Sequence, residues 1–135
     1  MNETDGSSDT SFDTVASSAV GSGGTYTDPV NDGARFFDVP GSGGCRDLAI
    51  QSDGKIVLVG SANSMSYVIR LLPTGVADTT FSGDGEVSTD LDDTQQDGFW
   101  SVAMGLHGTV EKIVAAGDTD TGTSPSQKMG VVRYR

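Results

Sequence analysis

Residues 45–72, with the sequence CRDLAIQSDGKIVLVGSANSMSYVIRLL, decide the fold of this chain. Apolar runs rich in β-branched residues alternate with short polar segments, which is the pattern of strands joined by tight turns. Asp53-Gly54 stands between two of these runs. It predicts a hairpin with a type I′ turn, whose two central residues both need a positive φ. Residues 55–60, KIVLVG, predict a strand that is buried on both faces.

The same pattern continues through the chain and predicts an all-β protein. Further strands are predicted at residues 34–40 (ARFFDVP), 85–91 (GEVSTDL), 99–106 (FWSVAMGL), 110–117 (VEKIVAAG) and 128–135 (KMGVVRYR). The chain contains 19 glycines, and most of them lie between apolar runs, as many tight turns require. Cys45 is the only cysteine, which excludes an intrachain disulfide. We expect it to be a small buried residue at the start of a strand.

Most of the stretch occurs twice. Leu48-Ala49-Ile50 corresponds to Val102-Ala103-Met104, and a three-residue insertion follows in the second copy. After the insertion, Lys55-Ile56-Val57 corresponds to Lys112-Ile113-Val114, and Val68-Ile69-Arg70 corresponds to Val131-Val132-Arg133. The glycines correspond as Gly33 to Gly85, Gly54 to Gly108 and Gly60 to Gly117. Asp38 corresponds to Asp90, and DTSF at 9–12 corresponds to DTTF at 78–81. A repeat of about fifty residues with four strands is typical of propeller blades and related β arrays.

This repeat divides a single domain, residues 1–135, into two units. Repeat 1 covers about residues 30–81 and repeat 2 covers about residues 82–135. Residues 1–12 complete repeat 2, because DTSF occupies the place that should follow its last strand. Residues 13–29 have no counterpart and are an insertion.

The predicted fold is therefore all-β, with two four-stranded antiparallel repeats that resemble propeller blades. The alternative is a compact β-sandwich of the two sheets. Two blades do not close a propeller, and each would leave an apolar face uncovered. Three ways of covering these apolar faces stay open. Copies of the chain assemble head to tail into a ring or filament, the two sheets cover each other, or the chain is part of a longer protein.

The pattern SDGKIVLVGS…YVIRLLPTGVADTTFSGDGEVSTD resembles the bacterial delta-60 repeat, whose units read roughly DGKIVVAG, ARYNPDG and LDTTFGxxGxV. The matching residues are Asp53-Gly54-Lys55-Ile56-Val57, Gly60, Arg70, Gly75 and residues 78–81. The second copy matches less well, because His107-Gly108 replaces Asp-Gly. The resemblance implies a propeller-like array in large secreted or cell-surface bacterial proteins, and it supplies no catalytic residues.

Charge and hydropathy exclude several classes of partner. Asp and Glu number 19 against 8 Lys and Arg, a formal net charge of −11. Such a surface repels phosphate backbones and anionic membranes, so we predict no nucleic-acid partner. No apolar run approaches the roughly 18–20 residues that span a bilayer, which predicts no transmembrane segment. The N-terminus MNETDGSSDT has neither the basic region nor the apolar stretch of a signal peptide.

Few side chains suit catalysis. His107 is the only histidine, and it occupies the turn position that Asp53 has in the first copy. Since His107 is expected to be a turn residue and Cys45 a packing residue, Ser-His and Cys-His arrangements have almost nothing to build on. The GSGG segments at 21–24 and 41–44 lack the Lys-Ser/Thr of a phosphate-binding loop. We therefore expect the protein not to be an enzyme.

Calcium is the cofactor that the acidic loops favour, because hard cations prefer oxygen ligands in loops that contain glycine. Asp118 and Asp120 have an Asp-x-Asp spacing, and Asp90, Asp92 and Asp93 crowd another loop. In the alternative interpretation these aspartates only form turns and keep the surface soluble.

Four aromatic residues are candidates for a ligand site or an interface: Trp100, Tyr26, Tyr67 and Tyr134. Phe99 and Trp100 are neighbours at a strand start, so they point to opposite faces and one of them belongs to the core. The other can join the tyrosines in a sugar-stacking platform or a subunit interface, unless all of them are ordinary packing residues.

These observations predict a structural or interaction module of a secreted or cell-surface bacterial protein. Its partners would be copies of itself or neighbouring repeats of a longer chain. The alternative function is a carbohydrate- or calcium-binding module, with a glycan as the partner in the first case.

Overall fold

Two antiparallel sheets make up the computed structural model, which describes residues 6–12, 33–37, 39, 41–91, 96–120 and 127–135. Sheet 1 has the strand order β1 (Gly43–Ile50), β2 (Ile56–Ala62), β3 (Met65–Leu71) and β4 (Glu86–Thr89). Sheet 2 has the order β5 (Asp97–His107), β6 (Val110–Asp120) and β7 (Gln127–Tyr134). The prediction of an all-β fold with two antiparallel sheets is confirmed. Two sets of predictions lie outside the described residues: the insertion at 13–29, and the candidate site residues Tyr26, Asp92 and Asp93.

The strand registers of the two sheets agree with the repeat found in the sequence. In sheet 1, Leu48 is paired with Leu58, and in sheet 2 the corresponding Val102 is paired with Ala115. Val57 is paired with Arg70, and the corresponding Val114 is paired with Arg133. The three extra residues of the second copy lengthen the β5–β6 hairpin at its tip, where β5 and β6 reach 11 residues each.

A β-bulge occurs at the same place in both sheets. The register shifts between Cys45 and Asp47 in sheet 1 and between Phe99 and Ser101 in sheet 2. Opposite each bulge lies a glycine on the neighbouring strand, Gly60 in β2 and Gly117 in β6. A Cβ at Gly60 would collide with the carbonyl oxygen of Gly44, so only glycine lets the two backbones approach this closely.

Gly60→Ala should therefore lower the free energy of unfolding by about 1–3 kcal/mol or more, because an added methyl group has no space at the bulge. Gly44→Ala is the matched control, since a Cβ at Gly44 meets no atom within 4 Å. Chemical denaturation of both variants measures the difference. Equal stabilities of the two variants would contradict the close approach.

The turns differ from the type I′ prediction at Asp53-Gly54. Gly54 has a φ of 85°, but Asp53 is not among the residues with positive φ. The amide of Gly54 donates to the carbonyl of Gln51, and the amide of Gln51 donates to the carbonyl of Lys55. This is a three-residue loop with one left-handed glycine. The pair of positive φ values occurs in the next turn, at Asn63 (48°) and Ser64 (66°).

The predicted strand at 34–40 is wrong for its described residues, because 34–37 and 39 are not in a strand. Its counterpart β4 is a strand, but it pairs with β3 and so completes sheet 1 rather than sheet 2. The two sheets therefore have four and three strands instead of four each. A strand forms only through ladder hydrogen bonds to a neighbouring strand, and in sheet 1 the position beside β3 is taken by β4.

The described part of the chain contains no helix with the length and apolarity that crossing a membrane requires.

Candidate functional site

The two sheets pack face to face through one apolar cluster, which we name the internal interface. Its fully buried residues come from both sheets and from the loop after β3: Val57, Val59, Val68, Phe81, Phe99, Val102, Ile113 and Ala115. Half-buried neighbours pack around them: Ala49, Val87, Leu91, Met104, Val132 and Tyr134. Because strand side chains alternate between faces, each sheet uses only one of its two faces here.

Two carboxylates connect the sheets at the margins of this interface. Asp47 Oδ2 in β1 accepts hydrogen bonds from the amide of Val102 (2.9 Å) and the hydroxyl of Ser101 (3.1 Å) in β5. The hydrogen bond from Val102 is the main reason why the pKa of Asp47 lies below its usual value. On the other side, Glu111 in β6 accepts from the amide of Ser52 and from Gln51 Nε2. These bonds fix the position of sheet 1 on sheet 2.

A buried ion pair holds the loop between β3 and β4. Asp78 is only 2% exposed, and its Oδ2 accepts from Arg70 Nε at 2.8 Å. Its Oδ1 accepts from the amide and the hydroxyl of Thr80, at 3.1 and 2.6 Å. Arg70 also lies over the ring of Phe81, 4.6 Å from its centroid, and Phe81 packs edge-on against Tyr134 of sheet 2. The ion pair therefore positions an aromatic side chain of the internal interface.

Asp78→Asn should lower the free energy of unfolding by about 3–5 kcal/mol, because it leaves the charge of Arg70 without its buried partner. Asp53→Asn is the control, since the ion pair of Asp53 with Lys55 is at the surface. Urea denaturation at neutral pH compares the two variants. Similar losses in both would contradict the special role of Asp78.

Asp78 also predicts a dependence of stability on pH. Burial alone would raise its pKa, but the hydrogen bonds of Thr80 and the charges of Arg70 and Lys55 outweigh burial and hold the pKa below the ordinary 3.8. Its stabilising effect is therefore complete above that value and disappears as the pH falls through the lower pKa of the folded state. We expect a smaller loss of stability between pH 6 and 3 in Asp78→Asn than in the wild type, measured by denaturation. Parallel losses would contradict this.

The face of sheet 1 that points away from sheet 2 is also apolar, and we name it open face 1. Its residues are Cys45, Leu48, Ile50, Ile56, Leu58, Ile69 and Leu71. Ile69 and Leu71 in β3 are already buried, so the accessible part of this face lies on β1 and β2. Their repeat counterparts in sheet 2 are Phe99, Val102, Met104, Ile113, Ala115, Val132 and Tyr134, all of which belong to the internal interface. Leu48 is 55% exposed, whereas its counterpart Val102 is 8% exposed. Open face 1 therefore has the composition of a face that sheet 2 keeps buried.

Cys45 illustrates this difference and corrects the prediction that it is buried. It is exposed and lies on open face 1, where its thiol contacts the carbonyl of Asp47 at 3.5 Å. Its counterpart Phe99 is completely buried, because sheet 1 covers it. The same position of the repeat is thus buried or exposed according to whether another sheet lies against it.

The face of sheet 2 that points away from sheet 1 is named open face 2. Its apolar residues are Ala103, Val114, Ala116 and Val131, the counterparts of Ala49, Val57, Val59 and Val68. Val68 is 0% exposed and its counterpart Val131 is 70% exposed. Arg133 also lies on open face 2, at the position that Arg70 has in sheet 1. The two open faces are therefore the two halves of the internal interface, each without its partner.

Residues 35–37 and Val39 lie over part of open face 1 and leave a cavity beneath them. The cavity has a volume of about 410 Å³ and is lined on one side by Phe36, Phe37 and Val39. Its other side is formed by sheet 1, including Cys45, Leu58, Tyr67 and Ile69. Most of the lining is apolar, so the cavity adds to the apolar surface of open face 1.

The turn at residues 9–12 repeats the geometry of the Asp78 turn. Asp9 Oδ1 accepts from the amide and hydroxyl of Ser11, at 2.9 and 2.6 Å, as Asp78 Oδ1 does from Thr80. The amide of Phe12 donates to the carbonyl of Asp9 at 3.0 Å, like the amide of Phe81 to Asp78. Gly33 lies against Asp9 as Gly85 lies against Asp78, and both glycines have positive φ. The two turns differ in burial, since Asp9 is exposed.

The predicted aromatic site residues are distributed over three places. Trp100 is 53% exposed at the bulge of β5, where its Nε1 donates to Asp118 Oδ1 and Arg46 lies 4.7 Å from the ring centroid. Arg46 is the repeat counterpart of Trp100. The cation therefore occupies a ring face that a sugar would need. Tyr67 lines the cavity on open face 1, and Tyr134 belongs to the internal interface.

Burial affects both tyrosines. It raises the pKa of Tyr67, with the charge of Glu86 as the second cause. It also raises the pKa of Tyr134, although a hydrogen bond with the hydroxyl of Thr89 acts in the opposite direction. Both hydroxyl groups stay protonated at neutral pH, so they serve as packing and hydrogen-bonding groups.

The aspartates proposed as calcium ligands do not form a common site within the described residues. Asp118 is bound to Trp100, and no group of three or more His, Cys, Asp or Glu side chains in these ranges is arranged to hold a metal ion. Asp90 and Asp120 have polar or ionic interactions of their own, and Asp92 and Asp93 lie outside the described ranges. Calcium binding stays a prediction.

Sequence reasoning missed the residues that connect the sheets. Asp47 and Glu111 carry no local signal, because their partners Val102 and Ser52 are distant in sequence. Arg70 and Asp78 were signalled, since both positions recur in the second copy as Arg133 and Asp9. A pair of opposite charges that recurs together in a repeat is evidence for an ion pair.

A sequence comparison agrees with this architecture. The family described as "Domain of unknown function (DUF5122) beta-propeller" matches residues 51–81, from the first hairpin to the end of the DTTF turn. The chain contains β-propeller-like repeats. No curated protein and no solved structure matched the chain. The matched segment is less than a quarter of the chain and includes the Arg70–Asp78 ion pair.

Proposed function

We propose that this protein is a non-enzymatic structural and interaction module of the delta-60 repeat type, which acts by packing its open faces against further repeat sheets. One observation carries the proposal: the residues of both open faces are the repeat counterparts of residues that are buried in the internal interface. The β-propeller match at 51–81 supports β-propeller-like repeats, and the residues that resemble the delta-60 pattern support the finer assignment. The delta-60 resemblance supports a secreted or cell-surface location in a bacterium.

The energetics favour association that depends on concentration. Leu48, Ile50 and Val131 are each more than half exposed. Full burial of such a side chain contributes about 1.5–3 kcal/mol, whereas association costs an estimated 4–15 kcal/mol of translational and rotational freedom. These three residues and their half-buried neighbours together offset a cost of that size without greatly exceeding it. A micromolar dissociation constant requires a surplus of about 8 kcal/mol over that cost, so we expect weaker association that increases with concentration.

Mass photometry and light scattering of the complete chain over a range of concentrations test the proposal. Val131→Asp should weaken association by about tenfold or more, because it places a charge on the apolar surface of open face 2. Leu106→Asp is the matched control, since Leu106 is 77% exposed at the tip of the β5–β6 hairpin and belongs to neither open face. A wild type that stays monomeric at high concentration, or equal effects of both variants, would contradict the proposal.

A further inference from the structure

We propose that the partner of sheet 2 is a second copy of this chain, arranged head to tail. Open face 1 of that copy covers open face 2, its Asp9 binds Arg133, and its residues 34–37 join β7 as the fourth strand of sheet 2. This inference rests on the proposed function and adds to it the identity, the polarity and the contacts of the partner.

The internal interface is the template for this junction. There, one face of sheet 1 covers one face of sheet 2, and each half consists of the same repeat positions that recur on the open faces. Val57, Val59 and Val68 of sheet 1 correspond to Val114, Ala116 and Val131 on open face 2. Phe99, Ile113 and Ala115 of sheet 2 correspond to Cys45, Ile56 and Leu58 on open face 1. Open face 1 therefore has the same repeat positions as the face of sheet 2 that covers Val57, Val59 and Val68. The counterparts of these three valines lie on open face 2.

The two open faces of one molecule cannot cover each other. They lie on opposite sides of a two-layered structure, because open face 1 points away from sheet 2 and open face 2 points away from sheet 1. Stacked sheets are spaced by about 10 Å, so sheet 1 separates residues 35–37 and Val39 from sheet 2. The two surfaces are different patches, and their contact is heterologous, which generates a ring or a filament.

The pairing of β3 with β4 gives the register of the added strand. Val68 is paired with Val87 and Tyr67 with Ser88. In the repeat, Val68 corresponds to Val131 and Val87 to Arg35, so Val131 would be paired with Arg35 across the junction. By the same correspondence, Gly130 would be paired with Phe36. Residues 34–37 thereby take the place beside β7 that β4 has beside β3. They also cover the outer edge of β7, which is the last strand in the order of sheet 2.

The Arg70–Asp78 pair gives the second contact. Asp9 has the same hydrogen bonds as Asp78 within its turn, and Arg133 has the same place in β7 as Arg70 in β3. Both Asp9 and Arg133 are exposed. At the junction, Asp9 of one copy would accept from Arg133 of the other, and Phe12 would take the place of Phe81 beneath the guanidinium.

A charge exchange tests the ion pair and the polarity together. Asp9→Arg and Arg133→Asp should each weaken association by about tenfold or more, because each places like charges at the junction. An equimolar mixture of the two variants should recover the association of the wild type, since every junction again joins opposite charges. Asp84→Arg is the control, because it makes the same charge change in a turn outside the junction. We would measure the assemblies by mass photometry.

Disulfide formation between copies tests the register independently. In a Cys45→Ala background, chains with Arg35→Cys and chains with Val131→Cys should form a mixed dimer under mild oxidation. Directly opposed residues bring their Cβ atoms within about 5.5 Å, while diagonal neighbours lie about 7–8 Å apart. Phe37→Cys chains should therefore form at least fivefold less of the mixed dimer with Val131→Cys chains.

The outcomes separate this inference from the proposed function. Recovery in the mixture together with register-specific disulfides supports the inference. If the wild type associates but both charge variants behave like Asp84→Arg, or the Phe37→Cys chains react equally well, the inference is wrong and the proposed function stands. If the wild type does not associate, both are wrong.

Discussion

Every other feature of this protein depends on the fact that its sheets are apolar on both faces. A sheet of this kind has to be covered twice, and two sheets in contact cover only one face each. The continuous apolar run of β2 shows the constraint at the level of single residues. Val57 and Val59 are buried against sheet 2, while Leu58 between them points to the opposite side. The architecture is therefore that of two stacked sheets, each with a second apolar face outside the internal interface.

The polar groups determine how one sheet lies on the next. Apolar packing alone is not directional, and faces composed of valine and isoleucine can slide past each other. Asp47 and Glu111 bind backbone amides of the opposite sheet, and such bonds have defined positions and angles. The Arg70–Asp78 pair does the same for the loop that brings Phe81 into the interface. The orientation of one sheet on the other is thus determined by a few charged residues at the margins of the internal interface.

Much of the architecture could be predicted from the sequence, because the periodicity of the strands and the two copies of the repeat are local patterns. The strands from β1 to β3 and the correspondence of Arg70 with Arg133 came from these patterns. The burial of Cys45 and the strand at 34–37 could not be predicted correctly. Both depend on whether another sheet lies alongside, which is a property of the neighbourhood. The turn at Asp53-Gly54 was assigned the wrong type, since two adjacent turn formers also suit a longer loop with one left-handed glycine.

The candidate site was less predictable than the fold. Trp100 and Asp118 were proposed for two different ligands, and the structure joins them in a hydrogen bond. Sequence alone does not show that Arg46, which is far away in the chain, lies on the indole ring. Tyr67 lines the cavity on open face 1 and Tyr134 packs in the internal interface. These positions depend on the register of each sheet, and a ligand or subunit contact at either tyrosine stays a prediction.

If the proposed head-to-tail assembly closes into a ring, the unequal copies of the repeat have one more consequence, which concerns symmetry. Each chain contributes two sheets, one with Arg46 and one with Trp100 at the bulge. A closed ring of such chains has an even number of blades, and its rotation axis relates every second blade. Known propellers mostly have four to eight blades, which corresponds to rings of two, three or four chains. Arginine and tryptophan would then alternate around the ring, so that neighbouring blades differ while neighbouring chains are identical.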